Sequence, residues 1–164
     1  MLVSCMLICA VPTYATSFQP EAAVYYYDKY IETSYSNIYG TAVAVTPQIV
    51  GPGTISYGQS KSITSTFSVS VTSGDISTII AKLGSNFSKS ASSNENFGMT
   101  FHIPAGKTQR IYFQPRLRST VGRIETWKQR ESDLYPSLES TKNVSGKVVT
   151  KVGKFADGKY YAGY

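Results

Sequence analysis

From Ser62 to Thr72 the chain alternates in character. The odd positions are Ile63, Ser65, Phe67, Val69 and Val71, apolar except for Ser65. The even positions, Ser62, Thr64, Thr66, Ser68, Ser70 and Thr72, all carry hydroxyls. A period of two cannot bury one face of a helix, but it buries one face of a strand. Read as a single strand, the run would reach about 36 Å and place Phe67 in the core. A second alternation runs through Phe97, Met99, Phe101 and Ile103 and ends at Pro104-Ala105-Gly106. That triplet is turn chemistry, because proline presets one dihedral and glycine allows a positive φ. Ile111 and Phe113 continue a strand beyond it, as far as Pro115. Val121 to Trp127 and Val144 to Val152 are further strand candidates.

The remaining segments fit the same pattern. Thr41 to Val50 is β-branched and small with Pro47 inside it, which suggests an edge strand, and Gly51-Pro52-Gly53 forces a turn after it. Ser73-Gly74-Asp75 supplies another turn. The chain resumes at Ile76 to Leu83 and passes into a hydroxyl-rich stretch, Ser85 to Ser93. Residues 130–143 are polar and contain Pro136, so they read as a loop or short helix. Residues 21–39 hold six tyrosines and fit helix and strand equally. No period of 20 to 50 residues repeats, which argues against a solenoid or propeller. The expected fold is all-β: an antiparallel meander or sandwich of elongated Ser/Thr-rich strands with no long helix.

Met1 to Ala15 is different. The run Leu2 to Val11 is apolar apart from Ser4, Pro12 breaks it, and Ala15 is the small residue a signal peptidase requires. The run is far shorter than the roughly 20 residues of a membrane-spanning helix, so no transmembrane anchor is expected. The expected organisation is therefore a secretory signal over 1–15, a tyrosine-rich segment over 16–59, and an antiparallel β domain over 60–164. Both cysteines, Cys5 and Cys9, fall in the signal, so the exported chain would hold together without disulfides. Cysteine-free export points to a Gram-positive bacterial source and an extracellular location. Serine and threonine fill 38 of 164 positions while charged residues make up only 16%, which excludes a charge-driven disordered chain or a coiled coil.

Charge gathers late in the chain. The formal net charge is +6, and seven basic residues lie between Lys107 and Arg130 against the single Glu125. They are Lys107, Arg110, Arg116, Arg118, Arg123, Lys128 and Arg130, with Tyr112 and Trp127 as aromatic support. Five are arginine, whose planar fork suits phosphate or carboxylate. This tract is a candidate surface for an anionic lipid or wall polymer, or equally a solvated strand face that blunts an edge. Nucleic acid attracts such a tract by the same physics, but export argues against it.

Catalytic signals are missing. His102 is the only histidine, and neither a Gly-x-Ser-x-Gly elbow nor a clustered metal-ligand spacing occurs. Pro104 to Thr108 ends like a phosphate loop, but Phe101 stands where that motif needs glycine. The sequence points to a non-enzymatic protein without cofactor or metal.

The hydroxyl-faced run Ser62 to Thr72, the Ser85 to Asn96 stretch and the strand Phe97 to Ile103 with its Pro104-Ala105-Gly106-Lys107 turn resemble the elongated β-region of aerolysin/epsilon-toxin-type pore-forming proteins. They are similar also to small secreted bacterial β-rich proteins of the same texture. The resemblance covers roughly residues 60–115. It implies a toxin-like, oligomerising protein in which an amphipathic hairpin, here Ile76 to Asn96, inserts into a membrane. Three functional expectations stand side by side. The first is action on a membrane or cell envelope, with homo-oligomers and pores. The second is a binding module for anionic wall polymers or glycans, and the third is a structural or matrix protein built edge to edge.

Overall fold

A computed structural model describes residues 23–164, and the proposed signal over 1–15, with Cys5 and Cys9, lies outside the described residues. The elements in chain order are β1 (Val24–Tyr39), β2 (Val43–Ala44), β3 (Ile49–Val50), β4 (Gly53–Tyr57), β5 (Ser62–Thr64), β6 (Thr66–Phe67), α1 (Ser73–Leu83), β7 (Phe87–Ser88), β8 (Ser90–Ser92), β9 (Asn96–Ile103), β10 (Thr108–Arg130), β11 (Ser137–Val152), β12 (Phe155–Ala156) and β13 (Gly158–Gly163). The fold is all-β, as expected, and carries one short helix.

β10 is the spine. It is 23 residues long, where strands of globular proteins usually run 3–10. Along one edge it pairs antiparallel with β1, from Val24↔Arg130 to Tyr39↔Arg116, then with β2 and β3. Backbone bonds from Gly40 to Pro115, Val45 to Ile111 and Gly51 to Lys107 bridge the gaps between those strands. Along its other edge it pairs with β11, then with β13. The tyrosine-rich segment, ambiguous in sequence, is therefore a strand because a partner of matching length exists. Short strands β6, β7 and β12 line the outer edge of β11, β5–β8 continues from β12, and β4–β9 forms a separate two-stranded sheet.

The spine buries opposite faces at its two ends. Ile111, Phe113 and Leu117, all odd-numbered, enter one core with Val45, Ile63, Ala91, Phe97, Val149 and Ala156. Further along, even-numbered Ile124 enters a second core with Tyr30, Ile79 and Val144. Side chains alternate faces along a strand, so the two cores lie on opposite sides of one sheet. Where they overlap both faces are covered, and adjacent Val148 and Val149 are each fully buried.

Several expectations are corrected. The run Ser62 to Thr72 is not one strand: Ile63 and Ser65 point inward as the period requires, but Phe67 is half-buried and Val69 is wholly exposed. Ile76 to Leu83 is helical. Thr72 accepts from the Asp75 N–H while the Asp75 carboxylate accepts from the Thr72 N–H, a capping box that nucleates α1. Ile76, Ile79, Ile80 and Leu83 then recur at helical spacing, and Ile79 and Leu83 pack into the second core. The segment Ile76 to Asn96, the candidate for an inserting hairpin, is here the helix α1 followed by the short strands β7 and β8. Of residues 130–143, only 131–136 form a loop, and the rest belong to β10 and β11.

Close approach explains two strand glycines. A Cβ on Gly122 would lie 2.3 Å from the Ile31 carbonyl oxygen and 2.6 Å from the Tyr30 ring, and one on Gly146 would lie 2.5 Å from the Phe67 ring. Each glycine thus seats an aromatic ring against bare backbone. Phe113→Ala should cost about 3–5 kcal/mol in urea unfolding. Val69→Ala should stay within about 0.5 kcal/mol. Phe67→Ala should fall between them, because its ring is only half-buried yet covers Gly146.

Candidate functional site

The seven basic residues of the tract all lie on or beside β10, which spreads them over a contour of about 75 Å. Charges act together over about 8–10 Å at physiological salt, so the tract is not one patch. Arg118 is committed to the fold. Its Nε donates to Glu32 Oε1 at 3.0 Å and its Nη2 to Glu32 Oε2 at 2.5 Å. The guanidinium lies 3.6 Å from the Tyr35 ring centroid and 5.5 Å from that of Phe87. Thr120 donates its hydroxyl to Glu32 Oε1 at 2.6 Å, so the 2.6 Å bond between Tyr30 and Thr120 must carry the tyrosine's proton. Burial pushes the Glu32 carboxyl up, but the bonds from Arg118 and Thr120 outweigh it and hold the group below its ordinary value. Burial likewise pushes the Tyr30 hydroxyl up.

Arg123 faces the other side of the strand. It donates to Glu125 Oε1 at 2.7 Å, while Trp127 Nε1 donates to Glu125 Oε2 at 3.3 Å. Trp127 therefore supports that pair, and Lys29 Nζ sits 5.2 Å from its ring centroid. Lys107 is exposed in the turn before β10, and Lys128 and Arg130 lie at the far end of the strand. Trp127 and Tyr112 stand fifteen positions apart and do not share a site.

One subset is brought together. Arg110, Tyr112, Gln114 and Arg116 share the outward face of the first half of β10, opposite the first core. β13 adds Tyr161 opposite Tyr112 and Lys159 opposite Gln114, and β1 adds Tyr39 opposite Arg116. The Tyr112 and Tyr161 rings stack with centroids 5.6 Å apart. Tyr112 donates its hydroxyl to the Tyr164 carbonyl at 3.2 Å. Lys159 Nζ lies 4.5 Å from the Tyr39 ring centroid. Arg116 is half-exposed and only loosely paired with Asp157 at 3.7 Å. The result is an outward face of cations and tyrosines. Lys159, Tyr161 and Tyr39 carry no sign of it in sequence, because they come from strands that meet only through β10.

Another ion pair ties the helix down. Lys142 donates to Asp75 Oδ2 at 2.5 Å, joining the first turn of α1 to β11. Burial raises the Asp75 carboxyl, but the bonds from Lys142 and Thr72 prevail and lower it. His102 is exposed on β9. Among the described residues, no group of three or more His, Cys, Asp or Glu gathers that could hold a metal, and no helix is long and apolar enough to cross a membrane.

Both lowered carboxylates make acid destabilising. The stability they supply is complete above their unfolded values and is lost as the pH falls through the folded ones, below about pH 4. The urea midpoint should drop across that window. Glu32→Gln should cost about 2 kcal/mol at pH 7 and flatten the acid limb, measured by urea titration from pH 7 to 3. Searches against protein-family models, curated proteins and solved structures found no match.

Proposed function

We propose that the chain is a secreted, non-enzymatic protein that acts at a membrane or cell envelope. It docks there through the face formed by Arg110, Arg116 and Lys159 with Tyr39, Tyr112 and Tyr161. The observation that carries this reading is that these six side chains share one outward sheet face, where the ion pair among the described residues that involves their cations is the loose contact of Arg116 with Asp157. Cations on a sheet face bind phosphate-bearing surfaces by screened attraction, and arginine adds bidentate hydrogen bonds. Stacked tyrosines offer an amphipathic platform to headgroups or sugars. The apolar run Leu2 to Val11 with Ala15 supports export. Anionic lipid headgroups and anionic wall polymers share the chemistry this face recognises.

Assembly of several copies through strand edges is a second reading, favoured by one observation. β1 ends the sheet among the described residues, leaving a sixteen-residue edge unpaired on its outer side. Such an edge is a template for a further strand. The Thr33 bulge, which shifts the register between Glu32 and Ser34, and the charged Lys29 are features that blunt an edge.

The triple substitution Arg110→Gln/Arg116→Gln/Lys159→Gln should weaken binding to phosphatidylglycerol vesicles or to purified teichoic-acid-bearing walls by roughly 100-fold at low salt. The two supports tell the sources apart, and high salt should release the wild type from either. Undiminished binding by the variant would overturn the docking face. Leakage of a trapped dye from the vesicles would mark assembly into pores.

A further inference from the structure

The far end of the sheet differs from the docking face. There β10 and β11 join through residues 131–136, beside the start of β1. The turn is fixed by Asp133: its carboxylate accepts from the Arg130 N–H at 3.1 Å and its own N–H donates to the Arg130 carbonyl at 3.0 Å. Glu131 N–H donates to the Ala23 carbonyl at 3.0 Å, which holds the start of β1 against the turn. Leu134 and Tyr135 project beyond this frame and are 91% and 83% exposed.

The strands below them add a belt. Tyr25, Tyr27, Trp127 and Leu138 lie on one side of the sheet, and Val24 and Tyr26 lie on the other beside Lys128 and Arg130. Val24, Tyr25, Tyr26 and Leu138 are each more than two-fifths exposed. A protein partner would meet one face, but here apolar and aromatic groups surround the end at one height on both faces. That is the arrangement by which tyrosine, tryptophan and lysine sit at the boundary between water and lipid. The hairpin from Lys128 to Ser137 carries two basic and two acidic residues, so its charges balance and nothing in it demands an anionic partner. Lys128 and Lys29 lie over Tyr26, Tyr27 and Trp127, which lets their ammonium groups stay in the headgroup layer while the rings go deeper.

We infer that this hairpin end is a lipid-inserting anchor: Leu134 and Tyr135 enter the interfacial layer of a bilayer, belted by Tyr25, Tyr26 and Leu138. The anchor deepens the envelope reading above and rests on it for the presence of a lipid surface, but it acts by apolar burial and not by charge. Its binding is therefore insensitive to salt and needs no anionic lipid.

Trp127 is the only tryptophan and lies within this belt, so its emission reports the event directly. With phosphatidylcholine vesicles in 0.5 M salt, the full chain should show a blue shift of Trp127 emission and quenching by brominated lipid. Leu134→Asp/Tyr135→Asp alters only exposed side chains. It should lower vesicle partitioning by tenfold or more with an unchanged circular dichroism spectrum. The Arg110/Arg116/Lys159 triple variant should partition like the wild type under these conditions. Absence of wild-type binding to neutral vesicles at high salt, or undiminished binding by the Asp variant, would overturn the anchor. If either result came with intact low-salt binding to anionic vesicles, only the anchor would fall and the docking face would stand. Loss of binding under every condition would remove both.

Discussion

The long strands of this fold are registered to one strand. β10 hydrogen-bonds along both edges for nearly its whole length, to residues 24–51 on one side and residues 137–163 on the other. It also buries both of its faces, each in a different half. A strand used this way cannot slip by one residue, because the slip would expose Ile111, Phe113 and Leu117 at one end and Ile124 at the other. The two cores therefore hold each other's register. The charged groups reinforce it: Arg118 reaches across to Glu32, and Lys142 on the adjoining β11 reaches to Asp75 of the helix. These pairs stand 86 and 67 positions apart in the chain.

The all-β class and most strand positions were legible because period-two patterning is local. The turn at Gly106, the strand after it, and the segments around Val121 and Val144 all appear where the pattern put them. Two things were not legible. The length of β10 was hidden because its buried positions change from odd to even near Ser119, which makes one strand look like two. Pro115 seemed to end it. In the structure, Pro115 faces residues 40–42, between the end of β1 and the start of β2, where its carbonyl accepts from Gly40 and no ladder partner needs an N–H. The helix was masked because Thr72-Ser73-Gly74-Asp75 serves equally as a turn and as a capping box, and only the spacing of Ile76, Ile79, Ile80 and Leu83 separates the two.

The basic tract shows the limit of reading charge along a chain. Seven cations in sequence became Arg118 paired inside the fold, Arg123 paired with Glu125, Lys128 and Arg130 at the hairpin end, Arg110 and Arg116 on the outward face of the first half of β10, and Lys107 alone in the turn before it. What decides membership is which strand lies alongside. Lys159 joins Arg110 and Arg116 because β13 pairs with β10, and no local pattern announces it. The arrangement leaves the molecule with a cationic, tyrosine-bearing face over the first half of the spine and a charge-balanced aromatic end at the other.

The order of the strands also governs how the chain comes to be folded. β1 is made early, yet every backbone partner it has lies on β10, and Tyr30 waits 90 positions for the Thr120 it bonds. Until the final third of the chain emerges, the tyrosine-rich strand has nothing to pair with and neither core can close. Nascent polypeptide of this design leaves its first long strand without a backbone partner for most of its synthesis, so the longest pairing of the fold forms only once the last third of the chain has begun to emerge.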